Sequence, residues 1–345
     1  MHKHVAILIA ILITTTISPV THACSRVLWD TKKANVVGRT MDWMEDTGTN
    51  IWVFPRGIER NGLVDKNPLT WTSRYGSVVS TIYDIATVDG MNEKGLVVNA
   101  LFLAKADYGK RDDSLPGMSV SLWTQYYLDE FATVDEALRS TKANPYQLVS
   151  GPLGDSGYDA TAHLAISDKS GDSAILEFID GKLQIYHARK YRVMTNDPTF
   201  DKQLANMKQY KGFGGSKELP GSTEAADRFV RAAYYESMLP VPKTQREAVG
   251  GVWSVMRNVS QPLGTSDAEH PNHSATLWTT VSDMTDGVYY FGMSMSPTIF
   301  WVDLNKIDFK KGAPILKLDV VNNPDRLGDV TAEFVPSKSF EFMKP

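Results

Sequence analysis

The chain has 345 residues, 42% of them hydrophobic and 10% aromatic, which is enough apolar material for a sizeable core and leaves no stretch with the composition of a disordered segment. A formal net charge of -4 provides no basic field for a phosphate backbone or an anionic membrane surface, so nucleic acid is excluded as the expected partner and a small neutral or anionic molecule is left. With Cys24 as the only cysteine, an intramolecular disulfide is excluded as well.

In chain order, residues 1–23 divide into a basic start (His2, Lys3, His4), an apolar run over 5–13 and a more polar end over 14–23. That is the three-part pattern of a secretory signal, and its apolar centre is too short to span a bilayer comfortably; an uncleaved anchor is the rival reading. Ala23 suits the cleavage position and Thr21, two places earlier, suits it less well; the cut exposes Cys24. The expected mature protein is therefore residues 24–345, a single domain, periplasmic or secreted, with no stable membrane insertion.

A lone thiol at that junction has two chemical explanations. One is lipidation of a noncatalytic envelope protein, but lipoprotein signals carry a large aliphatic residue three places before the cysteine, and Thr21 stands there. The other is catalysis by a terminal cysteine. Its α-amine, with an unperturbed pKa of about 7.7 to 8.0, lies two bonds from the Cβ and can act as base for its own side chain. The protonated amine then serves the leaving nitrogen, so no histidine is needed. Such a site still requires a cation or hydrogen bonds for the thiolate, a carboxylate for the amine and donors for the oxyanion.

Further along, Val36-Val37 followed by Gly38-Arg39-Thr40-Met41-Asp42-Trp43 reads as a strand leading into a turn that brings Arg39 and Asp42 beside the terminus. Apolar runs predict strands over 78–83, 95–103, 174–178, 183–186, 276–281, 288–293 and 299–302. Asn92-Glu93-Lys94-Gly95, Asp180-Gly181 and Asp286-Gly287 mark the turns between them. Thr133 with Glu136 makes a capping box for one helix, and Ser222 or Thr223 starts another that carries Ala226, Phe229, Val230, Ala233 and Tyr234 on one face. Arg228 falls about 100° from Phe229, at the edge of that stripe. The run Lys211-Gly212-Phe213-Gly214-Gly215 is a loop whose glycines suggest a mobile flap or a connection. Gly154-Asp155-Ser156-Gly157 lacks the next glycine and the supporting histidine of a serine-protease nucleophile loop. His270 and His273 have no third ligand in a recognisable pattern, and Trp278 and Trp301 read as core. No cofactor and no metal is called for.

Taken together, Cys24, Arg39-Thr40-Met41-Asp42-Trp43, Asp89-Gly90-Met91-Asn92-Glu93-Lys94-Gly95-Leu96, Thr195-Asn196-Asp197-Pro198, and Ser222 through Arg228-Phe229-Val230-Arg231-Ala232-Ala233 resemble the choloylglycine hydrolase family, which contains penicillin V acylases and bile salt hydrolases. The resemblance runs over nearly all of the mature chain. It implies an α+β fold, the four-layer αββα sandwich of the N-terminal-nucleophile hydrolases, and a homotetramer. It also implies roles: Cys24 as nucleophile and, through its amine, base; Arg39 beside the sulfur; Asp42 on the α-amine; Asn196 offering its amide N–H to the oxyanion; and Arg228 holding the polar end together. Where many members have a further oxyanion asparagine this chain has Phe102, and with Trp43 and Met41 it is expected to contact substrate, the two rings lining an acyl pocket while a backbone N–H near Phe102 serves the oxyanion. That aromatic pattern resembles the family's Gram-negative penicillin V acylase-like branch. It moves the expected substrate from bile salts toward slimmer N-acyl groups, those of penicillin V or of N-acyl homoserine lactones.

Overall fold

The computed structural model of the protein describes residues 24–31, 33–153, 159–265 and 274–345; the expected signal over 1–23, the 154–158 stretch and His270 with His273 lie outside these. Two strands come first, β1 (Ser25–Asp30) and β2 (Asn35–Trp43), then β3 (Ile51–Phe54), β4 (Ser77–Ile82), β5 (Ala86–Asn92) and β6 (Val97–Phe102). Helices α1 (Trp123–Glu130) and α2 (Val134–Ala143) precede β7 (Ala162–Ser167), β8 (Ser173–Ile179), β9 (Lys182–His187) and β10 (Val193–Thr195). Helices α3 (Phe200–Met207), α4 (Ala225–Met238) and α5 (Gln245–Val259) are followed by β11 (Ala275–Asp283), β12 (Val288–Met293) and β13 (Phe300–Asp303).

These strands form two large sheets, ordered β10-β1-β2-β11-β12-β13 and β9-β8-β7-β6-β5-β4-β3, each extended by short strands at one edge. Helices α4 and α5 pack on β1 and β2, and α1 packs on β5 and β6, so the layers run helix, sheet, sheet, helix as expected. Period-two alternation sorts the side chains. Ile51, Val53, Val78 and Val97 join the core between the sheets, while their neighbours Trp52, Phe54, Val79 and Val98 join the core under α1 and α2. Because both faces of each sheet are covered, the strands read as nearly continuous apolar runs, and burying each such side chain is worth about 1.5–3 kcal/mol.

Every strand expected from an apolar run is present, with bounds shifted by two residues or fewer. The Asp180-Gly181 turn has both residues in the left-handed region, φ 50° and 71°, as a two-residue hairpin requires. Thr133 caps α2 by accepting from the Glu136 N–H. Two expectations are corrected. Residues 38–43 are not a turn: β2 continues through Trp43, paired on one side with β1 and on the other with β11. Helix α4 begins at Ala225, and its buried face is Ala225, Arg228, Phe229, Val230, Ala232 and Glu236, whereas Ala226, Ala233 and Tyr234 are only partly covered. Two charged residues turn inward because each has a partner of opposite charge, buried Asp42 for Arg228 and half-buried Arg192 for Glu236. The glycine-rich run at 211–215 is a tight connection; a Cβ on Gly215 would stand 2.1 Å from the Gln209 carbonyl group.

Candidate active site

In a strand, residues two apart share a face, so Arg39, Met41 and Trp43 face one way and Thr40 and Asp42 the other. Pairing of Ser25 with Thr40 and of Arg26 with Arg39 extends this to β1, putting Ser25 toward the α4–α5 layer and Cys24, one residue before it, toward the second sheet. The nucleophile candidate thus stands where both faces reach it.

On the helix side, Arg228 donates through Nη1 to the Cys24 carbonyl at 2.8 Å and to the Ser25 hydroxyl, and through Nε to the Thr223 carbonyl at 2.9 Å. Its Nη1 lies 3.6 Å from Asp42 Oδ2, and both side chains are wholly buried. Asp42 also accepts from Thr276 Oγ1 at 2.6 Å and from Gln261 Nε2 at 3.4 Å. Burial pushes the Asp42 carboxyl up and the Arg228 guanidinium down, and each is the other's strongest counterweight. Hydroxyl and amide donors aimed at the carboxylate also oppose the effect of burial on Asp42. Asn196, just past β10, accepts from the Cys24 N–H and, at 3.5 Å, from Arg228 Nη2, while its Nδ2 donates to the Phe102 carbonyl at 2.6 Å. An amide nitrogen carries two hydrogens, and the Phe102 bond uses one.

On the sheet side, the Cys24 sulfur is 3.9 Å from Arg39 Nη2, 3.9 Å from Met41 Sδ and 3.8 Å from the Asp42 carbonyl oxygen. Burial raises the thiol pKa; Arg39 is the chief influence lowering it. The Arg39 guanidinium lies over the Trp278 ring, 4.4 Å from its centroid, and Nη2 donates to the Ala100 carbonyl at 3.2 Å. Its Nε and Nη1 make no hydrogen bond among the described residues. Beneath it sits Asp89, buried, accepting from Tyr289 at 2.5 Å and from Asn99 at 2.6 Å.

The ladder between β5 and β6 is registered only from Asp89↔Asn99 to Met91↔Val97. Residues 86–88 and 100–102, beyond it, both line one cleft, which therefore runs between the separated strand ends. The Ala100 and Phe102 carbonyls are taken by Arg39 and Asn196. The cleft encloses about 570 Å³, mouth included, and Cys24, Arg39, Met41, Trp43 and Phe102 line it. Trp43 and Phe102 meet edge to face with centroids 6.2 Å apart, and Trp43 Nε1 donates to the Tyr83 hydroxyl at 2.9 Å.

All eight residues singled out from the sequence, Cys24, Arg39, Met41, Asp42, Trp43, Phe102, Asn196 and Arg228, converge on this place. Asp42 faces Arg228, Thr276 and Gln261, and the Cys24 nitrogen donates to Asn196 Oδ1. At Phe102 the carbonyl is the backbone atom tied to Asn196. Ser25, Thr276, Gln261 and Trp278 were missed as site residues. Trp278 is core, as its strand position predicts, and also the surface on which the guanidinium rests. Ser25 and Thr276 are small hydroxyls in strands, and only strand pairing reveals them.

Comparison with known proteins adds family and relatives. Residues 24–320 match the linear amide C–N hydrolases, choloylglycine hydrolase family. A penicillin V acylase of Pectobacterium atrosepticum is 41% identical over 94% of this chain and 93% of its own. The structure of a penicillin V acylase from Agrobacterium tumefaciens superposes with a TM-score of 0.86 at 43% identity, covering 93% of this chain and 100% of that one. A mutant conjugated bile acid hydrolase from Clostridium perfringens gives 0.72 at 25% identity, over 86% and 96%.

Proposed function

The chain belongs to the choloylglycine hydrolase family of linear amide C–N hydrolases, and from that premise we propose that it is an exported amidase acting on slim N-acyl amides, penicillin V and N-acyl homoserine lactones, through a thioester on Cys24. The observation that carries this reading is the placement of the Cys24 thiol at the foot of an apolar cleft flanked by Trp43 and Phe102, with Arg39 as its only charged lining side chain among the described residues. A single flat or linear acyl group suits such a cleft better than a steroid.

In this mechanism, removal of residues 1–23 frees the Cys24 α-amine, which takes the thiol proton while Arg39 favours the thiolate. Sulfur attacks the amide carbonyl carbon, and the oxyanion is met by the second Asn196 amide hydrogen and a backbone N–H near Phe102. The ammonium proton passes to the nitrogen as the C–N bond breaks, the amine leaves, and water hydrolyses the thioester. Asp42 orients the amine, and Arg228 holds the Cys24 carbonyl. Assembly as a homotetramer belongs to the same proposal, and light scattering checks it. Intact-mass measurement of the exported protein checks the free terminus, since diacylglycerol attachment would make it an anchored envelope protein instead.

The deciding experiment is hydrolysis of penicillin V, a long-chain N-acyl homoserine lactone and glycocholate by protein starting at Cys24. Cleavage of either of the first two without the third is the expected result. Cleavage of glycocholate would make the protein a bile salt hydrolase and overturn the reading of Phe102, and inertness toward all three would overturn the amidase assignment to Cys24.

A further inference from the structure

The cleft has a far end, and a segment outside the family match closes it. From Cys24 it passes between the separated ends of β5 and β6 to the helical side of the second sheet, where Val120, Ser121 and Met343 line it. The family match ends at residue 320, and Met343 lies beyond it.

Its backbone is fixed at three points. The Met343 N–H donates to the Ile85 carbonyl at 2.9 Å, and its carbonyl accepts from Ser119 Oγ at 2.7 Å and Ser121 Oγ at 2.8 Å. Just before it, Phe340 packs on Trp52 with centroids 5.3 Å apart, and the Arg60 guanidinium lies over Phe342 at 5.2 Å. The main chain at Met343 is therefore anchored, while the side chain is an unbranched thioether that reshapes easily. Val120 and Met343 present no charge at that end.

We propose that Met343 is the end wall of the acyl subsite and sets the length of uncharged linear acyl chain that the cleft takes. The inference rests on the proposed amidase reading, and deepens it by naming the residue that measures the substrate. Shortening this side chain to alanine makes room for two or three more methylenes, and enlarging it to tryptophan removes a comparable length. Each buried methylene is worth about fourfold in affinity, so the ratio of long-chain to short-chain binding should change by about sixteen- to sixtyfold in opposite directions in the two variants.

The test measures calorimetric binding of straight-chain carboxylic acids of graded length, the acyl products themselves, to Met343→Ala, Met343→Trp, the volume-conserving Met343→Leu and the unaltered protein, with hydrolysis of the matching N-acyl homoserine lactones alongside. The expected result is an optimum that moves to longer acids in the alanine variant and shorter ones in the tryptophan variant, with the leucine variant unmoved and folded. An unchanged length profile across all variants, or no binding of any acid, overturns the wall. Intact binding profiles without any hydrolysis would instead overturn the amidase reading and leave the wall standing.

Discussion

On the helix-facing side of β2, Asp42 has Arg228, Thr276 and Gln261 around it, and Arg228 in turn grips the Cys24 carbonyl and the Ser25 hydroxyl. On the sheet-facing side, three residues earlier in the same strand, Arg39 rests on an indole ring, donates to one carbonyl and has two nitrogens with no hydrogen bond among the described residues. The first arrangement is closed: nearly every polar atom has a protein partner, and it fixes the main chain at Cys24. The second lines the cleft, with soft sulfur and ring contacts around a buried cation and the buried Asp89 carboxylate as its charge partner. A reactive thiol needs both, because a nucleophile must be held still by one set of groups and activated by another.

Substitutions at these faces should separate the two roles. The largest effect is expected at the shared point. Cys24→Ala should lower turnover of penicillin V by on the order of 10⁴-fold or more, as loss of a nucleophile does elsewhere, and Cys24→Ser should leave little; full activity in either variant would end the assignment. Next is the closed face. Asp42→Asn removes one partner of a buried ion pair and should cost about 3–5 kcal/mol in urea unfolding, because Arg228 keeps its charge with no carboxylate to meet it. Wild-type stability in that variant would mean that the face is not the scaffold described.

The open face should respond in rate and titration. Arg39→Gln removes the chief influence that lowers the Cys24 thiol pKa and leaves burial, which raises it, unopposed. The pH midpoint of thiol alkylation should therefore move further up, and kcat/KM at neutral pH should fall about ten- to a hundredfold. The chain beginning at Cys24 sharpens the test, since its α-ammonium adds a positive charge beside the sulfur; its midpoint should lie below that of the full-length chain. A midpoint that stays put on loss of Arg39 would show that the guanidinium does not act on the sulfur.

Much of this was legible in the sequence, and the limits have physical causes. The gathering of Arg39, Asp42 and Asn196 around Cys24 was legible because the chemistry expected of a terminal thiol asks for a cation, a carboxylate and oxyanion donors, and these residues come together there. The strands were legible because sheets covered on both faces demand long apolar runs. Gly38 misled: it looks like a turn glycine, yet it lies in a central strand where a Cβ would stand 2.5 Å from the Met256 sulfur, so it marks close helix–sheet packing. Arg228 resists a periodicity argument for a similar reason, since a helical stripe is drawn by hydrophobicity and cannot show that a carboxylate waits inside. The diverged end of β6 is held by contacts 61 and 94 positions apart, and the arrival of Met343 at its far side depends on contacts between residues more than two hundred positions apart.

The smallest effect is expected at the rim, where the open face meets the acyl group. Tyr83 accepts from Trp43 Nε1 at 2.9 Å and donates to Glu45 Oε1 at 2.5 Å. Burial, and then the Glu45 carboxylate, push its phenol well above the usual tyrosine range, so the hydroxyl keeps its proton across the working pH and the link to the indole is constant. Tyr83→Phe removes that acceptor without changing the charge near Cys24. If Trp43 is a wall that touches the acyl group equally before and during reaction, KM should rise about three- to fivefold, the value of one neutral hydrogen bond, while kcat stays within about twofold. The alkylation midpoint of Cys24 should not move. A fall in kcat at unchanged KM would mean instead that the ring is positioned for the transition state, and the division between a closed holding face and an open reacting face would have to include the rim.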